Sequence, residues 1–349
     1  SSAASDVYKR QIRDGYIYIH DMSARRDTMN CCLFDVASVL KGGFEMGNLW
    51  YNEPKSLDVA FDVIGDIVMA AASQQYGGFT VAEVDKILAV YAEKTFQRQY
   101  DKYLCLGLSF EKAREAAMAD VEKDYEQGFQ GWEYKCPTVA SSRGDYPFIT
   151  VTAGLGTGVY EKMATLAMLK IRRGGQGKKE CKKPVLFPKI VFLYDENLHG
   201  PGKISEDLFK AGVECSKKTM YPDWLSLTGD GYVASMYKKY GKVVSPMGCR
   251  AFLSPWYERG GMKPADENDT PIFVGRFNIG AISLHLPMIY AKAKKESKDF
   301  YEVLDYYLEL IRKLHKRTYD YLREMKASVN PLAFCEGGFL GGHLGIHDK

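Results

Sequence analysis

An α/β fold is predicted by three features of the sequence. Runs rich in β-branched residues, such as Phe148-Ile149-Thr150-Val151-Thr152, alternate with stretches of helical apolar periodicity along most of the 349 residues. A glycine turn, Gly154-Leu155-Gly156-Thr157-Gly158, joins that strand directly to a helical pattern. The chain also has no internal repeat, low-complexity tract or linker that would divide it, so one α/β domain is expected.

In order, Tyr16-Ile17-Tyr18-Ile19 alternates as a short strand ending at His20-Asp21. Met29 to Val39 reads as a buried strand turning into a helix near Asp35. Successive strand residues face opposite sides, so only one of Cys31 and Cys32 can enter an interior while the other packs away from it. Residues 55–72 and 81–99 carry helical recurrence, and the first stretch stops at Gln74-Gln75-Tyr76-Gly77-Gly78, where the glycines are a helix stop or a point of close backbone approach. A third helix covers 110–125, with one face exposed and Glu122-Lys123-Asp124 on solvated surface.

After the strand at Phe148–Thr152, a helix is expected from Val159 to Arg172. A glycine turn leading into a helix N-terminus can cradle phosphate, but the third glycine comes too early for G-x-G-x-x-G and there is no P-loop pattern. Gly174 to Lys183 reads as a basic surface loop, and Pro184 to Leu193 as a buried strand interrupted at Pro188. Ser205 to Met220 is a helix with Glu206 and Asp207 at its positive end, stopped by Tyr221-Pro222-Asp223. Gly248–Leu253, Ile272–Val274 and Ile279–Leu286 are strand or loop, separated by a polar excursion from Trp256 to Asp269. The strongest helix spans Phe300 to Lys326, with a stripe of Val303, Leu304, Tyr307, Leu308, Ile311 and Leu314, and His315 as a packing or surface residue.

Composition narrows the class. Hydrophobic residues make up 46% and charged residues 26% of the chain, and 47 basic against 44 acidic residues leave a formal charge of +3. That balance gives no field for wrapping nucleic acid or binding a membrane surface. Eight cysteines without C-x-x-C spacing, with no apolar run near the ~18 residues of a membrane span and no secretory signal, fit a reduced cytoplasmic setting. Residues 1–11, Ser1 to Gln11, lack an initiator methionine and look like translated adapter sequence, so they are expected to be poorly ordered, leaving 12–349 as the folded domain.

Cys249, in Pro246-Met247-Gly248-Cys249-Arg250-Ala251-Phe252-Leu253, is read as the chemical centre. A cysteine between a glycine and a basic residue, before an apolar run, suits a loop tip carrying one reactive side chain into an interior. The same pattern suits a buried, inert thiol. With Ile19-His20-Asp21, Asn30-Cys31-Cys32-Leu33-Phe34-Asp35, Gln75-Tyr76-Gly77-Gly78, Phe187-Pro188-Lys189, Tyr221-Pro222-Asp223, Gly275-Arg276-Phe277-Asn278-Ile279-Gly280 and Glu336-Gly337-Gly338, the Met247-Gly248-Cys249-Arg250 motif resembles the anaerobic, class III ribonucleoside-triphosphate reductases over residues 12 to 349. Several separated motifs in the family's order make coincidence far less frequent than one short pattern would.

The resemblance implies a ten-stranded α/β barrel, here incomplete at the C-terminus, with a finger loop through its centre. It implies that Cys249 forms the thiyl that takes the ribose 3′ hydrogen, that Cys31 is the second active-site thiol, and that Asn278 positions substrate or formate, although Asn278 as a turn amide stays open. His20, Asp21 and Arg250 are implied contacts to substrate or effector, with a strand-end histidine bonded to Asp21 as the alternative for His20. The adjacent Cys31-Cys32 pair has poor geometry for joint zinc ligation. By resemblance the glycyl radical and a zinc site lie in a missing C-terminal region, formate is the expected reductant with a thiol protein left open as the alternative, a radical-SAM iron–sulfur activase installs the radical, dNTP and ATP are effectors, and the assembly is a homodimer. The chain alone is then expected to be inactive.

Two other readings compete. A pyruvate formate-lyase type of glycyl-radical enzyme carries its adjacent cysteines on the finger loop, whereas here the pair lies far upstream of a lone Cys249. A catalytically inactive nucleotide-binding module predicts no proximity between Cys31 and Cys249.

Overall fold

The computed structural model describes residues 2–22, 28–139, 146, 148–340 and 342–349, with side chains described from Val7 onward. Its centre is a six-stranded sheet of β1 (Cys32–Phe34), β2 (Phe79–Val81), β3 (Ile149–Ala153), β4 (Lys189–Tyr194), β5 (Asp223–Ser226) and β6 (Arg276–Phe277), in the spatial order β5-β4-β3-β2-β1-β6. The first five are mutually parallel, and β6 adds antiparallel to β1.

Because each parallel strand is laid beside its predecessor, right-handed crossovers carry the connecting helices to one face of the sheet. Those helices are α1 (Leu57–Ala72), α2 (Val84–Cys105), α3 (Phe110–Thr138), α4 (Val159–Gly174) and α5 (Glu206–Thr219). On this face Phe34, Phe79, Val151 and Ile190 join Ile64, Leu88, Tyr125 and Met168 in one core. The opposite residues, Leu33, Thr80, Thr150, Thr152, Val191 and Leu193, are also buried, and the segment Val243–Met247 covers part of that face. Thr80 Oγ1 donates to Pro246 O at 3.2 Å, Ser245 Oγ lies 3.5 Å from Thr152 Oγ1, and Val243 packs with Val191 and Leu193.

The ten-stranded barrel is not what the described residues form. Six strands make an open sheet with β5 and β6 as separate edges, and no closed barrel is present among them. The strand count came from resemblance to longer proteins, whereas the described residues place five parallel strands in consecutive order in one open layer, with a loop on one face.

Other expectations shift locally. The 110–125 helix runs on to Thr138 because Phe129, Trp132 and Cys136 continue its buried stripe beneath Phe61. Instead of disorder at the N-terminus there is a helix at Ser2–Arg13, with Tyr8 and Ile12 packed on a second core of Ile17, Ile289 and Tyr307. In the 300–322 helix Leu308 points outward at 47% exposure, and Leu310 takes a buried place in the stripe. Gly174 to Lys183 is a surface hairpin of Gln176–Lys178 and Cys181–Lys183. Two further helices, Tyr232–Tyr240 and Leu286–Glu296, lie in stretches to which the sequence reading gave almost no assignment, only Leu286 having fallen in a strand-or-loop segment. No helix among the described residues is long and apolar enough to cross a membrane.

Candidate active site

The site forms where the start of β1 meets the tip of the loop laid across the sheet. The loop tip closes on itself: Arg250 N donates to Met247 O at 2.7 Å and Met247 N to Ala251 O at 2.9 Å, with Arg250 in the left-handed region at φ 66°. Met247 is buried against Leu33 and Cys31, which sinks the turn and leaves Cys249 exposed at its apex.

Glycine permits this approach. A Cβ on Gly78 would stand 2.8 Å from Gly248 Cα, and one on Gly248 would meet Phe148 at 2.8 Å and Gly78 Cα at 3.0 Å. Two backbones therefore touch where any side chain would hold them apart. Gly77 is equally confined, its missing Cβ falling 2.6 Å from Cys31 N. Of the two roles open to the glycine pair in the sequence, the structure shows close backbone approach.

Across that contact Cys31 Sγ lies 3.9 Å from Cys249 Sγ, although 218 positions separate them in the chain. Gly78 N–H donates to Cys31 Sγ at 3.1 Å, and Asn30 Oδ1 sits 3.6 Å from the same sulfur. Cys32, fully buried, faces the helices, as strand alternation requires. A thiol donating from Cys31 stabilises the thiolate of Cys249 and pulls Cys249 down to about 6, with partial burial opposing and the Ala251 N–H assisting. The same contact, followed by desolvation, pushes Cys31 far up, so the proton of the pair resides on Cys31. Burial raises Cys32 to about 12, and it too remains a thiol.

Asn278 enters the same neighbourhood from β6. Its N–H donates to Cys31 O at 2.9 Å, its Nδ2 lies 3.6 Å from Met247 Sδ, and its Oδ1 accepts from Gly280 N at 3.1 Å. Its carboxamide thus serves a local turn and touches the loop at once.

Arg250 does not point at the sulfurs. Its Nε donates to Asp223 Oδ2 at 2.6 Å, Nη2 reaches the same oxygen, and Nη1 lies 3.5 Å from Thr150 Oγ1. The loop is thereby tied to β5 and β3. Lys189 stands over the Phe148 ring at 4.2 Å, and its pKa is lowered by desolvation and then by the nearby Arg250 charge.

His20 and Asp21 are not part of this assembly. They follow Ile17–Ile19 on a two-stranded ribbon with Ile282–Leu284, separate from the central sheet, and His20 Nε2 is 2.7 Å from Ser283 Oγ. Gln75, Thr150 and Asp223 hold the site's backbone and its loop, a role the sequence did not give them, although Gln75 and Asp223 stand in motifs that carry the resemblance. Their partners lie on other elements, so no local pattern shows that Thr150 and Asp223 meet Arg250. Among the described residues no group of three or more His, Cys, Asp or Glu side chains is arranged to hold a metal ion.

The family model for anaerobic ribonucleoside-triphosphate reductase matches residues 2–347. The anaerobic ribonucleoside-triphosphate reductase of Enterobacteria phage T4 is 34% identical over 333 residues, covering 93% of this chain and 52% of that protein. The protein of the same name from Escherichia coli K12 is 33% identical over 326 residues, covering 93% and 43%. The chain therefore spans about half the length of the curated relatives it matches. Among solved structures, an anaerobic ribonucleotide reductase from Thermotoga maritima in complex with dATP and CTP aligns with a TM-score of 0.65 at 13% identity, over 98% of this chain and 53% of that one, a likeness of fold.

Proposed function

Because the chain belongs to the anaerobic ribonucleoside-triphosphate reductase family, we propose that Cys31 and Cys249 are the reacting thiols of a site that converts a ribonucleoside triphosphate to its 2′-deoxy form. The observation that supports this reading is the 3.9 Å contact between two sulfurs from opposite ends of the α/β unit. A catalytically inactive nucleotide-binding module would leave those thiols apart. A pyruvate formate-lyase type of site would draw both cysteines from the loop, which here carries Cys249 alone.

The chemistry asks for a hydrogen-atom carrier, since the ribose 2′ C–O bond breaks easily only beside a radical at C3′. A glycyl radical, when present, would supply the initiating oxidation, and Cys249 is the thiol that would give up its hydrogen atom. The Cys249 thiyl removes the 3′ hydrogen and returns it at the end, and Cys31 delivers hydrogen at C2′ once the hydroxyl has left as water. With formate as reductant the balance closes: ribonucleoside triphosphate, formate and a proton yield deoxyribonucleoside triphosphate, carbon dioxide and water. Asn278 orients substrate or formate through its carboxamide, beside both the loop and the Cys31 carbonyl.

In the substrate-free site Cys249 is the proton-poor member of the pair, and hydrogen-atom transfer needs its S–H form. A furanose ring also does not fit between sulfurs in contact. Substrate therefore lies across both thiols and parts them, which breaks the S–H···S interaction and returns Cys249 to an ordinary thiol. Met247 and the neighbouring buried loop residues exclude water from the inner side of the site.

In the activated, catalytically competent protein under anaerobic conditions, Cys249→Ala and Cys31→Ala each abolish deoxynucleotide formation and leave effector binding intact. Turnover retained in either variant rejects the role given to that residue. Asn278→Ala lowers activity without abolishing it, and unchanged kinetics with formate would remove Asn278 from the site.

A further inference from the structure

Gln75 is 6% exposed and every polar atom of its side chain is engaged. Nε2 donates to Gly78 O at 2.9 Å and to Gly77 O at 3.2 Å, while Oε1 accepts from Cys32 Sγ at 3.2 Å. Gly78 O accepts a second bond from Cys32 N at 2.9 Å. The carbonyl side of Gly78 is thereby clamped from two directions, and its N–H faces Cys31 Sγ. Gly78 is also the residue whose bare Cα meets Gly248 of the reactive loop.

We propose that Gln75 is a positioning residue for the thiol pair, and that Cys32 is its prop: the Cys32 thiol fixes which end of the carboxamide faces Gly77 and Gly78, and the carboxamide fixes the backbone that seats Cys31 and the Cys249 loop. The side of the carboxamide is decided by chemistry. Two carbonyls require the NH₂ end, so Oε1 is left for a donor, and a thiol that burial keeps protonated supplies one. An apolar side chain at either position would leave buried polar groups unpaired. This gives the second of the adjacent cysteines a task that involves no redox change.

The inference rests on reading Cys31 and Cys249 as the reacting pair, but thiol alkylation requires no turnover, so the two can fail separately. The experiment follows iodoacetamide modification of Cys31 and Cys249 against pH in the chain, by peptide mass spectrometry under reducing conditions, with circular dichroism to report folding. In Gln75→Leu, Cys31 is modified about tenfold faster or more, and the Cys249 midpoint rises toward the ~8.5 of a free cysteine. Cys32→Val shifts both in the same direction, whereas Cys32→Ser, which keeps a donor, restores the wild-type profile. Gln75→Glu supplies a donor and an acceptor only while its carboxyl is protonated, so it follows wild type at low pH and Gln75→Leu above its own titration. A folded Gln75→Leu with wild-type rates and midpoint overturns the proposal. Should that variant fail to fold, a Cys32→Val profile identical to Cys32→Ser, or a Gln75→Glu profile that titrates like wild type, overturns it equally.

Discussion

Replacing Gly78 by alanine tests whether close backbone contact is what assembles the site. The added Cβ would stand 2.8 Å from Gly248 Cα and 3.1 Å from Gly248 N. Ordinary carbon contact needs about 3.5–4.0 Å, so the loop must retreat by about 0.7–1.2 Å, and the neighbour is main chain with no rotamer to yield. Gly78 does not occupy the left-handed region, so the effect is steric and not conformational. Overpacking of this kind costs about 1–3 kcal/mol, read as a lowered denaturant midpoint with an unchanged slope. The geometric effect is sharper. Moving the loop by that distance carries Cys249 away from Cys31, and misplacements near 1 Å cost reacting groups on the order of a hundredfold. Diamide-driven formation of the Cys31–Cys249 disulfide, followed by mass spectrometry, should therefore slow by tenfold or more while alkylation of Cys249 continues. A Gly78→Ala chain as stable as wild type within about 0.5 kcal/mol, and oxidised at the same rate, would refute the argument.

Further outcomes follow from individual groups. In wild type the alkylation of Cys249 should have its pH midpoint near 6, and Cys31→Ala, which removes the principal hydrogen-bond donor, should move that midpoint up. Arg172 and Glu133 form an almost wholly buried pair at 2.6 Å, so Arg172→Met strands a carboxylate and should lower stability by about 3–5 kcal/mol in urea titrations. Asp85 is buried, accepts from Gly154 N and Gly156 N, and is raised by desolvation to about 6. A raised carboxyl binds its proton more tightly folded than unfolded, so its contribution is complete below pH ~4, falls as pH rises to ~6 and is flat above. In Asp85→Asn that segment of the stability–pH curve should lose its slope.

Local signals in the sequence carry much of the fold. The runs at Phe148–Thr152 and Pro184–Leu193 and the helical stretches between them reappear within a few residues, because β-branched burial and helical periodicity are short-range properties. Tyr232–Tyr240 escaped because it opens on Gly231, which offers no capping side chain, and Leu286–Glu296 because its cap is His285 and its first turn contains Pro287. The open sheet could not be read from pattern, since strand order is a property of the whole chain. At the site, Gly77, Gly78 and the Met247-Gly248-Cys249-Arg250 turn were legible as places of tight backbone. The Arg250–Asp223 ion pair and the Gln75–Cys32 bond were not, because they join residues separated by 27 and 43 positions whose own surroundings say nothing of each other.

The span of 218 positions between Cys31 and Cys249 also bears on biogenesis. At translation speeds of about 5–20 residues per second, the first thiol leaves the ribosome roughly 10–45 s before the second exists. Throughout that interval Cys31 has no Cys249 to face, and the pair cannot form until four successive crossovers have docked. A bifunctional thiol probe bridging these two positions would consequently count only those molecules in which the loop has come to lie on the sheet.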